Sequence, residues 1–112
     1  MEAYPQGEGS SFRVTFTLYD EEGLPVTPTS IKFRVDCLTT GTTLREWTPT
    51  VAAEEIVIDI LPADNAIQRD RNRRERRQLT FVANDDEATQ FVDPDPVQWW
   101  VNNVLANRAV IP

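Results

Sequence analysis

An all-β sandwich is the fold this sequence predicts, and three observations predict it. Apolar and polar residues alternate with period two in several short runs. Glycine, proline and acidic turn signals separate most of those runs. No run repeats apolar residues at the 3.6-residue spacing of a long amphipathic helix. At 112 residues the chain is one domain.

Met1–Ser11 is polar, holds Gly7 and Gly9, and reads as a loose N-terminal arm. Phe12, Val14, Phe16 and Leu18 then alternate with Arg13, Thr15, Thr17 and Tyr19, a strand with one buried face. Asp20-Glu21-Glu22-Gly23 is a turn, and Pro25 and Pro28 hold the connection extended. Ile31, Phe33, Val35 and Cys37 alternate with Lys32, Arg34, Asp36 and Leu38 in a second such strand. Gly41 supplies the positive φ of a hairpin turn at Thr39–Thr42. The return strand, Thr43–Trp47, ends before Pro49 or lies at a sheet edge.

Ile56, Ile58 and Ile60 mark the next strand, closed by Pro62. Asp64 can cap a short helical turn through Asn65-Ala66-Ile67. A run of arginines forms a loop entering a strand, with Leu79, Phe81 and Ala83 inward. Asn84–Glu87 is an acidic turn, Thr89–Val92 a short strand, and Asp93–Pro96 a breaker. Val97–Leu105 is the last strand and Ala106–Pro112 a tail.

Composition excludes several chemistries. Histidine is absent, and Cys37 is the single cysteine. A disulfide within the chain, a histidine-dependent triad and a zinc site of several His and Cys ligands are therefore excluded. No apolar run approaches the roughly 20 residues of a helical membrane span. No signal segment opens the chain, so the expectation is a soluble protein made in the cytoplasm. Asp85-Asp86-Glu87 and Asp93 with Asp95 lack the spacing of a calcium loop and read as hydrated turns. Cys37 falls on the core face as a small buried apolar group.

The net charge is −7, yet the window Arg69–Arg77 holds six arginines and two acids, net +4, leaving −11 for the rest. Lys32 is the one lysine. Arginine pairs with carboxylates in a bidentate fork and stacks on rings, which suits protein interfaces.

Three stretches, in order, carry a likeness. The first is Phe12–Leu18, then Gly23-Leu24-Pro25-Val26-Thr27-Pro28-Thr29-Ser30-Ile31, then Phe33-Arg34-Val35-Asp36. The second is Thr40-Gly41-Thr42 leading to Trp47. The third is Leu61–Ile67, followed by Arg74-Glu75-Arg76-Arg77 before a strand, and an aromatic closing strand with Val101 and Asn103. Together they span most of residues 12–105 and resemble a family of small bacteriophage virion proteins with an immunoglobulin-like fold.

The resemblance implies an Ig-like antiparallel β-sandwich of six or seven strands, with a flexible arm (residues 1–11) and a flexible tail (residues 106–112). It implies a non-enzymatic structural subunit at the head–tail neck or tail, or in capsid decoration. The implied partners are other virion proteins and further copies of the chain, in a symmetric homo-oligomer made in the bacterial host cytoplasm. No catalytic residue, cofactor or metal is implied. Trp99-Trp100 stand where the pattern has tyrosines, and the approach to the penultimate strand is basic. Both departures leave the partner open. The rival class is a soluble binding or adhesion module for a protein or carbohydrate.

The candidate partner-binding residues are Arg69, Arg71, Arg73, Arg74, Arg76, Arg77, Trp100, Tyr19, Val110 and Ile111. The arginines could dock on an acidic protein surface, touch phosphates of packaged DNA, or form a solvated loop. Direct DNA contact is the less favoured reading for an acidic chain. Trp99 shares a face with Val97 and Val101 and reads as core. Trp100 shares the polar face with Gln98 and Asn102, as an interface anchor or under intramolecular cover. Tyr19 faces outward with Arg13, Thr15 and Thr17. Val110 and Ile111 are apolar at a chain end and could order against a neighbour.

Overall fold

The structure, a computed structural model, describes residues 2–20, 22–84 and 95–104. Among these residues eight strands form: β1 (Gln6–Gly7), β2 (Phe12–Tyr19), β3 (Pro25–Val26), β4 (Ser30–Cys37), β5 (Thr42–Thr50), β6 (Glu55–Ile60), β7 (Arg74–Asn84) and β8 (Val97–Asn102). They build two sheets, β1-β8-β7-β4-β5 and β3-β2-β6. The predicted all-β sandwich is the observed fold; the larger sheet is mixed rather than purely antiparallel, because β1 runs parallel to β8. No helix among the described residues is long and apolar enough to cross a membrane.

The alternation read from sequence sets which face each strand buries. Val14 and Leu18 of β2, with Ile56, Ile58 and Ile60 of β6, pack against Ile31, Phe33 and Val35 of β4, Leu79 and Phe81 of β7, and Val97, Trp99 and Val101 of β8. Ring contacts register the sheets: Phe12 meets Trp99 edge-on at 5.1 Å, and Phe16 stacks on Phe81 at 4.3 Å. The Trp99 side chain donates from Nε1 to Asn65 Oδ1 at 2.8 Å, so its one polar atom is satisfied inside the core.

Besides the short, unpredicted β3 and a β8 that ends at Asn102 rather than Leu105, two strand elements differ from the sequence reading. The segment read as an arm lies along the sheet instead. β1 runs parallel to β8, with Gln6 opposite Val101. The Ala3 N–H donates to Gln98 O at 2.8 Å and the Glu8 N–H to Asn102 O at 2.9 Å. These bonds use main-chain groups, which hydropathy does not encode. The second difference is β5, which continues through Pro49 to Thr50. It is an edge strand, where a residue without an N–H is tolerated.

The turns follow sequence chemistry. Gly41 has φ 72° in the β4–β5 hairpin and Gly23 has φ 80° between β2 and β3. The helical turn is 3₁₀ and spans Pro62–Asn65, slightly earlier than predicted. Asp64 does not open it but bonds back, accepting the Leu61 N–H at 2.7 Å. The tail, the Thr89–Val92 strand and the Asp85-Asp86-Glu87 turn lie outside the described residues.

Trp99→Ala removes the largest fully buried side chain and strands Asn65 Oδ1. It is expected to cost about 3–5 kcal/mol, against a typical total of about 5–15 kcal/mol. Urea unfolding followed by circular dichroism checks this.

Candidate functional site

The arginine-rich segment divides by strand parity once β7 begins at Arg74. Counting back by twos from the inward Phe81 and Leu79 places Arg77 and Glu75 inside and Arg76 and Arg74 outside. Glu75 and Arg77 are both fully buried, at 0% exposure. Arg77, read from sequence as a partner-binding residue, is therefore a structural residue. It pairs directly with Cys37 across the β4–β7 ladder, inside the sandwich.

A buried ion tolerates such a site only when paired and hydrogen-bonded. Arg77 Nη1 donates to Glu75 Oε1 at 3.1 Å and to Cys37 Sγ at 3.1 Å. Its Nε donates to Asp64 O at 2.9 Å, and its Nη2 to Ala66 O. Glu75 in turn gathers the loop that precedes it. Its oxygens accept the Gln68 N–H at 2.9 Å, the Arg69 N–H at 3.0 Å and the Asn72 side-chain amide at 2.8 Å.

Burial pushes the Glu75 carboxyl up, but those bonds from Gln68, Asn72, Arg69 and Arg77 outweigh it. The net shift is below the ordinary value of 4.5. Asn103, also buried, donates to Asp70 O at 3.2 Å and Asn72 O at 2.9 Å, fastening the loop from the β8 side. The Asn103 N–H closes the set by donating to Arg73 O at 2.8 Å.

The result is a loop of fixed shape that carries its arginines outward. Arg69, Arg71 and Arg73 are exposed. No ion pair joins them to an acid among the described residues. Arg74 and Arg76 leave the loop on the outer face of β7 and lie over Trp100, at 4.1 and 5.1 Å from its ring centroid. Arg76 also pairs with Glu2, which lowers the Glu2 carboxyl and raises the guanidinium. Trp100 is half-buried, so the cover comes from neighbouring arginines, and the indole remains at the surface beside them.

The structure thus brings Arg69, Arg71, Arg73, Arg74, Arg76 and Trp100 to one end of the sandwich. Tyr19 is 47% exposed but closes β2 at the opposite end, away from this group. Val110 and Ile111 lie outside the described residues. Sequence reasoning missed Glu75, Asn72 and Asn103. The signal for Glu75 was available: it keeps parity with Leu79, which was read as inward. It also missed a second cation–indole group on the same sheet face, with Lys32 and Arg34 at 5.3 and 5.1 Å from the Trp47 ring.

Comparison with known protein families, with curated proteins and with solved structures finds no match.

Arg77→Met leaves Glu75 buried without its cation and is expected to cost about 3–5 kcal/mol, measured by urea unfolding. Replacing both residues by apolar ones is expected to recover part of that loss. Because the folded Glu75 carboxyl lies below its unfolded value, its contribution is complete above pH 4.5 and fades as pH falls through the folded value. The unfolding midpoint of the native chain is therefore expected to drop more steeply below pH 4.5 than that of Glu75→Gln.

Proposed function

We propose that this chain is a non-enzymatic structural subunit of a bacteriophage particle, acting at the head–tail neck or tail, with capsid decoration the next placement. The observation that carries the reading is the fixed basic end. Five buried polar side chains, Asp64, Asn65, Glu75, Arg77 and Asn103, lie at the end that displays Arg69, Arg71 and Arg73 to solvent. A solvated loop needs no such internal support. A docking surface gains from it, because less ordering entropy is lost on contact. The order of turn and strand motifs shared with virion sandwiches over residues 12–105 supports the same assignment.

The mechanism is geometric. A rigid sandwich offers charged loops, indole-bearing faces and sheet edges to neighbouring subunits. Its partners are other virion proteins and copies of itself, and closed rotational contacts make a ring. Arginine forks on partner carboxylates give orientation and on-rate, and the Trp100 indole gives an apolar anchor beside them.

One observation favours the rival reading, a soluble binding or adhesion module. An open cleft of about 600 Å³ lies between the N-terminal segment and β2, lined in part by Tyr4, Pro5, Phe12, Val14 and Val97. Such a cleft could take a small apolar or sugar ring.

Mass spectrometry of purified particles from the encoding phage or induced prophage separates the two. The expected result is the chain at ring-like copy number, about 6–12 against the major capsid protein. Absence from the particle overturns the virion reading and leaves the binding module. The R69A/R71A/R73A variant is expected to fold normally and to enter particles several-fold less than the native chain.

A further inference from the structure

Charge in this molecule is sorted along its length. The molecular extents are 60 × 22 × 18 Å. The basic loop, Arg69–Arg73, lies beyond the end where Arg74 pairs with Asn102 and Cys37 pairs with Arg77. The opposite end is acidic. Glu55 pairs with Thr17 near the close of β2, Glu54 precedes it, and Asp20 and Glu22 form the following turn. The Phe12–Trp99 and Phe16–Phe81 contacts fix this polarity, since they set the two sheets in one register. β7 alone, Arg74–Asn84, separates the levels of the two ends by about 35 Å.

That spacing matters because charges more than about 10 Å apart are screened in physiological salt. The two ends cannot satisfy one another within one molecule. Among the described residues no ion pair uses Arg69, Arg71, Arg73, Glu22, Glu54 or Glu55. Several other surface charges are paired locally: Arg13 with Asp59, Arg34 with Asp36, and Arg76 with Glu2, while Lys32 lies over Trp47 and Arg74 over Trp100. Arg69, Arg71 and Arg73 cluster at one end, and Glu22, Glu54 and Glu55 at the other.

We infer that the basic end of one copy docks on the acidic end of a second copy, so that the chains associate head to tail. The occupant is chosen by complementarity. The basic loop carries Arg69, Arg71 and Arg73 against Asp70, and the acidic end carries Asp20, Glu22, Glu54 and Glu55. Asp20 turns its Oδ1 onto the Glu22 and Leu24 N–H groups, which shapes that turn and holds it compact. A contact between two unlike ends is heterologous, so it propagates into a ring or a column according to its rotation. The inference rests on the basic end being a docking surface, and it names the partner of that surface. Particle composition tests the virion assignment separately, so the two can fail independently.

The test uses the purified full chain and two charge-reversed forms. One form is R69E/R71E/R73E, which makes both ends acidic. The other is E22R/E54R/E55R, which makes both ends basic. All six side chains are exposed and none of them takes part in the buried network, which uses only the main chain of Arg69 and Arg73, and circular dichroism confirms folding. Sedimentation velocity is run at low and high salt over a concentration series.

The native chain is expected to associate at low salt and to weaken by about tenfold or more at high salt. Each reversed form alone is expected to remain monomeric. Their equimolar mixture is expected to associate again, because each then meets an end of opposite sign. A native chain that stays monomeric at low salt and high concentration overturns the inference. So does association that survives both reversals, or a mixture of folded reversed forms that does not associate.

Discussion

The buried pair of Glu75 and Arg77 is the constraint around which the rest of the basic end is arranged. Two charges two residues apart on one strand face the core, where water cannot solvate them. Each therefore needs every donor or acceptor it can reach. Arg77 takes two main-chain carbonyls from the 3₁₀ turn and its exit, which fixes Asp64–Ala66 against β7. Glu75 takes two main-chain N–H groups from the loop that follows, which fixes Gln68–Arg69. The loop has its shape because the pair demands partners. The pair is tolerated because the loop supplies them.

A buried pair of this kind adds little stability over apolar side chains of equal size. Its bonds tie the segment from Asp64 to Asn72 to β7, and Asn65 extends the same network upward. Its Oδ1 accepts from Trp99, and its Nδ2 donates to Ser10 O at 2.8 Å, so the core tryptophan and the start of β2 share the network. Asp64 extends it sideways by accepting from Arg45 Nη2 at 2.6 Å, which ties the edge strand β5 to the same end. Rigidity at this end then carries the proposed docking surface, since arginines displayed on a fixed loop lose less entropy on contact than arginines on a loose one.

The outer face of the larger sheet follows a second rule. Trp47 and Trp100 both stand on the solvent side, and each has two cations over its ring. Stacking covers part of the indole without removing it from the surface. The β4–β5 register shifts on both sides of Val35, the stretch of β5 that includes Trp47. Arg76 is held by Glu2 and Gln98, whereas Arg74, the nearer cation over Trp100, is in no ion pair among the described residues, so basic and apolar recognition fall on adjacent atoms there.

Much of the sandwich was legible along the chain. Period-two alternation in Phe12–Leu18, Ile31–Cys37 and Ile56–Ile60 identified strands and their buried faces, because a pleated backbone sends neighbouring side chains to opposite sides. Gly41 marked its turn, and Pro49 marked an edge. Alternation states which way a side chain points but not which strand lies beside it. Pairing of β1 with β8 runs through main-chain groups that every residue carries, so a polar segment gave no sign of it. For the same reason the arginine run looked uniform, until the pairing of β7 with β4 and β8 turned Arg77 inward and left Arg69, Arg71 and Arg73 outside. The sequence by itself determined the strands, their faces and the excess of charge. Tertiary structure decided which charges are buried, which are shared and which end of the molecule bears each sign, because those depend on contacts between residues far apart in the chain.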